Sequence, residues 1–299
     1  MIFNLIKLAA SAALVAAVIW WADGAAVLAH LGALSLGWIL LAILGLAGAT
    51  AAMAWRWQLV AGHLGLRLSY RAAFQEYYLA TLLNQTLPGG AAGDVTRAFR
   101  ARHGVDLKTA ALSVAVERLL GQIAIFGVLG LGMVSALLVP GGLAWGSLAT
   151  VIPPSLMAIA AVGWWLSKKG GAVGRFICLV LTLQQRADLS ANAVISSGCV
   201  LFSFYACARA TGTVIPPEGW ATLIPLVLIA MLVPLSIGGW GWREGAAAAL
   251  FPLINAPASA GVAASLAYGS AILIAALPAA LLLLTRGTAH PISSPTQKG

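Results

Sequence analysis

The sequence predicts an all-α polytopic membrane protein, with six transmembrane helices plus two re-entrant broken-helix hairpins in an inverted-topology repeat. Three observations carry that reading. Hydrophobic residues make up 61% of the 299 and charged residues 8%, and the mean hydropathy is +0.95; a soluble interior of this size cannot bury so much apolar surface. Apolar runs of spanning length recur along the chain. The basic residues gather on one side of those runs.

A crossing helix needs about 20 predominantly apolar residues, and such runs lie at 3–21, 37–56, 109–138, 146–166, 190–210 and 260–285. Lys7 ahead of an Ala-rich run resembles a signal peptide. The Trp20-Trp21 pair at its end suits a membrane interface better, so the segment is read as a retained helix. Two further stretches, 72–101 and 220–254, are interrupted by Leu87-Pro88-Gly89-Gly90 and by Pro234-Leu235-Ser236-Ile237-Gly238-Gly239. Proline removes a backbone donor and glycine weakens a helix, so each stretch divides into two short arms. An arm of ~15 residues rises only about 22 Å, short of a ~30 Å hydrocarbon core. Each therefore reads as a hairpin leaving by the face it entered.

Charge tests this layout independently. With both termini cytoplasmic, the segments 56–71, 97–108, 167–188 and the termini hold 14 of the 17 Lys and Arg residues, Arg56 among them. Arg118, Arg209 and Arg243 fall within membrane segments, and the loops 22–36, 139–145, 211–219 and 255–259 contain none. That is the positive-inside pattern. Trp38, Trp145 and Trp220 mark outer edges and Trp55, Trp57, Trp164 and Trp165 inner ones, whereas Trp240 and Trp242 fall near the bilayer centre.

Each half reads helix, helix, hairpin, helix: repeat 1 over about 1–138 and repeat 2 over about 146–286, within one integral domain 1–286 and ahead of a polar cytoplasmic tail at 287–299. Three crossings per half invert the second copy, and broken elements at matching positions mark the substrate site in transporters of this plan. The second arms start near Gly93-Asp94-Val95-Thr96-Arg97 and Trp242-Arg243-Glu244-Gly245. Two helix N-termini meeting there would form an anion-binding centre from unpaired N–H groups and dipole ends. Gly89, Gly90, Gly238 and Gly239 either line that centre or only permit tight turns.

An ionised residue in hydrocarbon costs roughly 2.5–3.5 kcal/mol, so Glu76, Asp94, Arg97, Glu117, Arg118, Arg209, Arg243 and Glu244 call for reasons. Asp94 and Arg97, at i and i+3, are placed to pair. The adjacent pairs Glu117/Arg118 and Arg243/Glu244 point about 100° apart, which speaks against a shared partner. Arg97 and Arg243 suit a phosphate, which guanidinium grips in bidentate fashion. Asp94, Glu117 and Glu244 read either as substrate-site groups or as neutralising partners, with proton coupling an alternative for Glu117. Arg118 and Arg209 are placed to snorkel. Cys178, Cys199 and Cys207 and the scattered His30, His63, His103 and His290 suggest neither a disulfide framework nor a metal site, and no cofactor is expected. The formal net charge of +9 sits on the inner membrane face, so anionic lipid rather than nucleic acid is the expected partner. Arg100, Arg102 and Lys108 each contribute about 1 kcal/mol of such attraction.

Three motifs recur in order: Pro88-Gly89-Gly90-Ala91-Ala92-Gly93-Asp94 with Arg97, then Val116-Glu117-Arg118, then Pro234 through Gly238-Gly239-Trp240-Gly241-Trp242-Arg243-Glu244. Together they resemble the lysylphosphatidylglycerol synthase transmembrane, or flippase-like, family over about residues 1–286. The resemblance implies a bacterial inner-membrane protein moving lipid between leaflets, with an anionic phospholipid or an isoprenoid or hopanoid-type lipid as cargo. Only a short polar stretch follows Arg286, so a stand-alone member without the soluble aminoacyl-transfer domain is expected, and not an enzyme. The leading expectation is a translocator of an anionic or phosphate-bearing lipid. A membrane-embedded transferase acting on a lipid-linked substrate would use Asp94, Glu117 or Glu244 as acid or base, but no nucleophile–histidine arrangement or nucleotide-binding loop accompanies them. A non-transporting partner of a lipid or glycolipid biosynthesis complex is the third reading. Small residues are abundant enough for close packing within one chain or in a homo-oligomer.

Overall fold

Helices built from these apolar runs make up the chain, and no strand occurs among the described residues. The computed structural model describes residues 2–87, 92–102, 106–138, 143, 145–233 and 236–280. Gly89, Gly90, Pro88 and Pro234 lie outside these, as do His103, His290, Arg286 and Lys298. The expected crossings correspond to α1 (Ile2–Trp21), α3 (Leu36–His63), α6 (Leu107–Leu138), α7 (Ser147–Lys168), α9 (Ala187–Ala210) and α13 (Ala258–Ala276). Five helices are long and apolar enough to span a bilayer, and α1 with α2 (Gly24–Gly32) forms a sixth candidate bent by 94°. Asp23 makes that bend: its φ is 65°, and its carboxylate caps α2 by accepting from the Ala26 N–H at 3.3 Å.

Two helices fall in segments read as loops. One is α2, and the other is α8 (Gly171–Gln184), packed between α7 and α6 and beside α9. Both are apolar but shorter than a spanning length, which is why a search for 20-residue runs passes over them. The second span also runs past residue 56. The apolar run resumes at Leu59-Val60-Ala61, so α3 continues to His63 and takes Arg56 and Trp57 into the interior. Arg56 therefore leaves the inner loop, and Trp57 is a core residue rather than an interfacial marker. Trp145 is likewise buried, whereas Trp55, Trp164 and Trp165 are exposed, and Lys168 and Lys169 lie over the rings of Trp164 and Trp165.

The interrupted stretches divide as their proline and glycine content predicts. In the first, Ser69 caps α4 (Tyr70–Thr86) by accepting from the Ala72 N–H at 3.3 Å, and Leu87 turns extended (ψ 143°) ahead of a proline. The chain resumes as α5 (Ala92–Ala101), folded back antiparallel on α4. Gly93 makes this possible: a Cβ there would collide with the Ala80 carbonyl. In the second stretch, α10 (Pro217–Ala221), α11 (Leu223–Ile229) and a 3-10 turn at Ala230–Leu232 lead through the break to α12 (Trp242–Leu250). Gly238 and Gly239 have φ of 55° and 80°, the left-handed region that a side chain disfavours. The two breaks touch, since a Cβ on Gly238 would lie 2.5 Å from Gln85 Oε1 at the end of α4. Helix α1 covers the second break, where Ser11 Oγ accepts from the Ile237 N–H at 3.1 Å.

The central core joins α3, α6, α9, α11 and α13 through Leu46, Leu129, Met133, Phe204, Leu223 and Tyr268. Its largest interface is between α3 and α9, where Gly45 faces Ser203 and Cys199 closely enough to exclude any side chain. Lipid tails are as apolar as leucine, so close small-residue packing rather than burial from water drives such contacts.

Candidate functional site

Beside this core, residues of α3, α4, α5, α6 and α9 converge on one carboxylate. Glu117 of α6 accepts from Arg56 Nη2 and Nε at 2.8 and 3.2 Å through Oε1, and pairs through Oε2 with Arg97 Nη2 at 3.0 Å. The Tyr77 hydroxyl donates to it at 3.3 Å. Arg56 also donates from Nη1 to Ser196 Oγ of α9 at 2.7 Å. All these charged groups are buried. A buried ion pair is stable only when its remaining donors and acceptors are satisfied, and the Glu117 carboxylate meets that condition with three partners. Its commitment to two guanidinium groups speaks against the proton-coupling alternative.

Arg97 is held between two rings, with its guanidinium carbon 4.3 Å from the centroid of Tyr77 and 4.5 Å from that of Trp57. Trp57 is fixed in turn by its indole N–H, which donates to Ser113 Oγ at 3.1 Å. The expected Asp94–Arg97 pair is present at 3.2 Å, and Arg118 reaches the other oxygen of Asp94 at 2.6 Å. Asn84 closes the hairpin: its Oδ1 accepts from the Gly93 N–H at 2.8 Å, and its Nδ2 donates to Asp94 at 3.3 Å. Thus one N–H at the start of α5 is already occupied from within. Glu76 pairs separately with Arg100 at 2.8 Å.

The first cluster therefore combines three guanidinium groups, Arg56, Arg97 and Arg118, with two carboxylates, Asp94 and Glu117. It carries one excess positive charge. Among the described residues, Arg97 Nε and Nη1 have no acceptor, and the buried Gln85 Oε1 and Ser236 Oγ beside the touching breaks have no partner. Arg118 is 43% exposed and links this centre to the surface.

The second cluster is different. Arg243 donates to Glu244 Oε1 from Nη2 at 2.7 Å and from Nε at 3.2 Å, and Nε also meets Ser265 Oγ of α13 at 2.8 Å. Ser265 donates onward to Glu244 at 2.8 Å. The expectation that Arg243 and Glu244 cannot share a partner is thus overturned. Glu244 stands in the first turn of α12, and its Oε2 accepts from the Gly241 N–H at 2.6 Å. Reaching back to that cap brings its carboxylate beside its neighbour's guanidinium. The N-terminus read as an anion site is occupied by the chain's own anion, and the cluster is neutral.

Of the expected site residues, Asp94, Arg97 and Glu117 come together in the first cluster and Arg243 and Glu244 in the second. Gly238 and Gly239 form the turn against α4, and Gly89 and Gly90 lie outside the described residues. Arg56, Tyr77, Ser196 and Ser265 were missed. The resumption of apolar sequence after Arg56-Trp57-Gln58 is the signal that would have placed Arg56 inside. Two grooves of about 440 and 460 Å³ open on either side of Gln58, lined by Ala51, Trp55 and Tyr70 and by His63 and Arg67 respectively, apart from both clusters.

Apolar helices of spanning length around buried, internally paired charge define an integral α-helical membrane protein. The chain matches the family model described as the lysylphosphatidylglycerol synthase TM region over residues 5–280, and it belongs to that family. No curated protein matches it.

Proposed function

We propose that the protein is a non-enzymatic translocator of an anionic or phosphate-bearing lipid in a bacterial inner membrane, with both termini cytoplasmic. One observation carries the reading: a buried centre with an excess positive charge and open donors on Arg97. A phosphate diester supplies the missing charge and the acceptors that Nε and Nη1 lack. Arg118, half in the open, makes first contact, and Arg97 receives the headgroup when α4 and α5 part from α6, while the tail stays in the bilayer. Arg243 is engaged by Glu244 and Ser265, so its role in this reading is to fix the second break rather than to hold lipid. The paired hairpins re-enter from opposite faces, and movement of one repeat against the other exposes the centre to each leaflet in turn. Family membership supports a lipid-related function.

Reconstitution in liposomes with fluorescent phospholipids tests this. Faster leaflet exchange than in empty vesicles, reduced at least tenfold by Arg97→Gln, is expected. Exchange no faster than in empty vesicles across anionic and isoprenoid lipids would sink the proposal. Conversion of lipid in detergent, where no second compartment exists, would favour the transferase instead.

A further inference from the structure

At the end of the bundle where α3 begins and α9 finishes, one cation belongs to neither cluster. Arg209, in the last turn of α9, lies with its guanidinium carbon 5.0 Å from the centroid of Trp38, and its Nη1 donates to the Tyr205 hydroxyl at 3.3 Å. Tyr205 in turn packs on Trp220 at 4.2 Å between centroids and meets Trp38 edge-on at 6.1 Å. Trp38 and Tyr205 thus flank one positive charge, and Trp220, stacked on Tyr205, completes a three-ring basket beside it.

Among the described residues no carboxylate is in ion-pair contact with that charge. All eight acidic residues lie among the described residues and each is engaged elsewhere. Asp23 and Asp106 cap helices, Glu76, Asp188 and Glu244 pair with Arg100, Arg186 and Arg243, and Asp94 and Glu117 serve the first cluster. Glu218 accepts from the Leu143 N–H at 2.8 Å. The negative end of α9 favours a cation in its last turn, but it accounts for neither the basket nor the guanidinium donors left beyond Tyr205. A guanidinium carries five N–H groups.

We propose that Arg209 binds the phosphate of an anionic phospholipid at this rim, with Trp38, Tyr205 and Trp220 seating the headgroup region. Indole and phenol rings favour the headgroup level of a bilayer, and the guanidinium fork matches two phosphate oxygens. On the translocator reading, which this extends, the site is the station on the leaflet opposite the basic face; the binding itself does not require transport.

Native mass spectrometry of the detergent-solubilised full chain, titrated with phosphatidylglycerol, tests it. Wild type should retain one lipid that Arg209→Gln binds about tenfold more weakly, with Arg209→Lys, which keeps the charge but loses the fork, between the two. An unfolding midpoint of Arg209→Gln equal to that of wild type is expected beside the weaker binding, and separates lost binding from lost fold. Equal retention by Arg209→Gln overturns the proposal, as does equal binding of phosphatidylcholine. Displacement by inorganic phosphate would mark a free-anion site and overturn it too. Liposomes in which exchange fails while this lipid is retained would sink the translocator reading alone.

Discussion

The two broken hairpins bring charge into the interior at comparable places and resolve it differently. Around the first, five charged side chains from α3, α5 and α6 share contacts and leave one positive charge over. Around the second, Arg243, Glu244 and Ser265 close on one another, and the helix start is capped from within. An open network has something to offer a ligand, whereas a closed one has only rigidity to offer. The first break is thus the place to look for chemistry and the second the place to look for mechanical support.

That contrast can be broken most directly at the carboxylates. Glu117→Gln leaves Arg56 without a carboxylate and Arg97 with Asp94 alone, and should cost about 3–5 kcal/mol in detergent unfolding. Glu244→Gln strands one guanidinium and keeps an acceptor for the Gly241 N–H, so about 2–3 kcal/mol is expected. Equal losses would remove the distinction between the clusters.

Packing of the first hairpin comes next. Gly93→Ala pushes a methyl group into the Ala80 carbonyl and should destabilise by roughly 1–3 kcal/mol, while Gly127→Ala, which meets nothing nearby, should unfold like wild type. Arg118→Gln removes the exposed cation and should slow lipid exchange roughly threefold to tenfold with an unchanged unfolding midpoint. A full-rate Arg118→Gln protein would shift the point of entry away from Asp94. Ser265→Ala should have the smallest effect, about 1 kcal/mol of stability, with lipid exchange unaltered; a transport defect there would make the second cluster a participant.

Much of this was legible in the sequence because its causes are local. Apolar runs mark α3, α6, α7, α9 and α13, and the Pro-Gly-Gly punctuation marks both breaks. The spacing of Asp94 and Arg97 foretells their pair. Arg56 and Glu117 are 61 residues apart, and nothing in the neighbourhood of either names the other. Arg243 and Glu244 misled for a different reason. Divergence of adjacent side chains holds in mid-helix, but a Glu three positions past the cap folds back toward the N-terminus and changes its direction. Helices α2 and α8 escaped because neither is long enough to span.

The bond between Ser11 and Ile237 joins residues 226 positions apart, and so bears on biogenesis. A helix synthesised early supplies the acceptor for an amide synthesised much later. Until the two meet, that amide lacks its acceptor, at a cost of several kcal/mol wherever water does not reach it. Setting of the second break is therefore coupled to α1, and a chain lacking α1 would leave that amide without its acceptor.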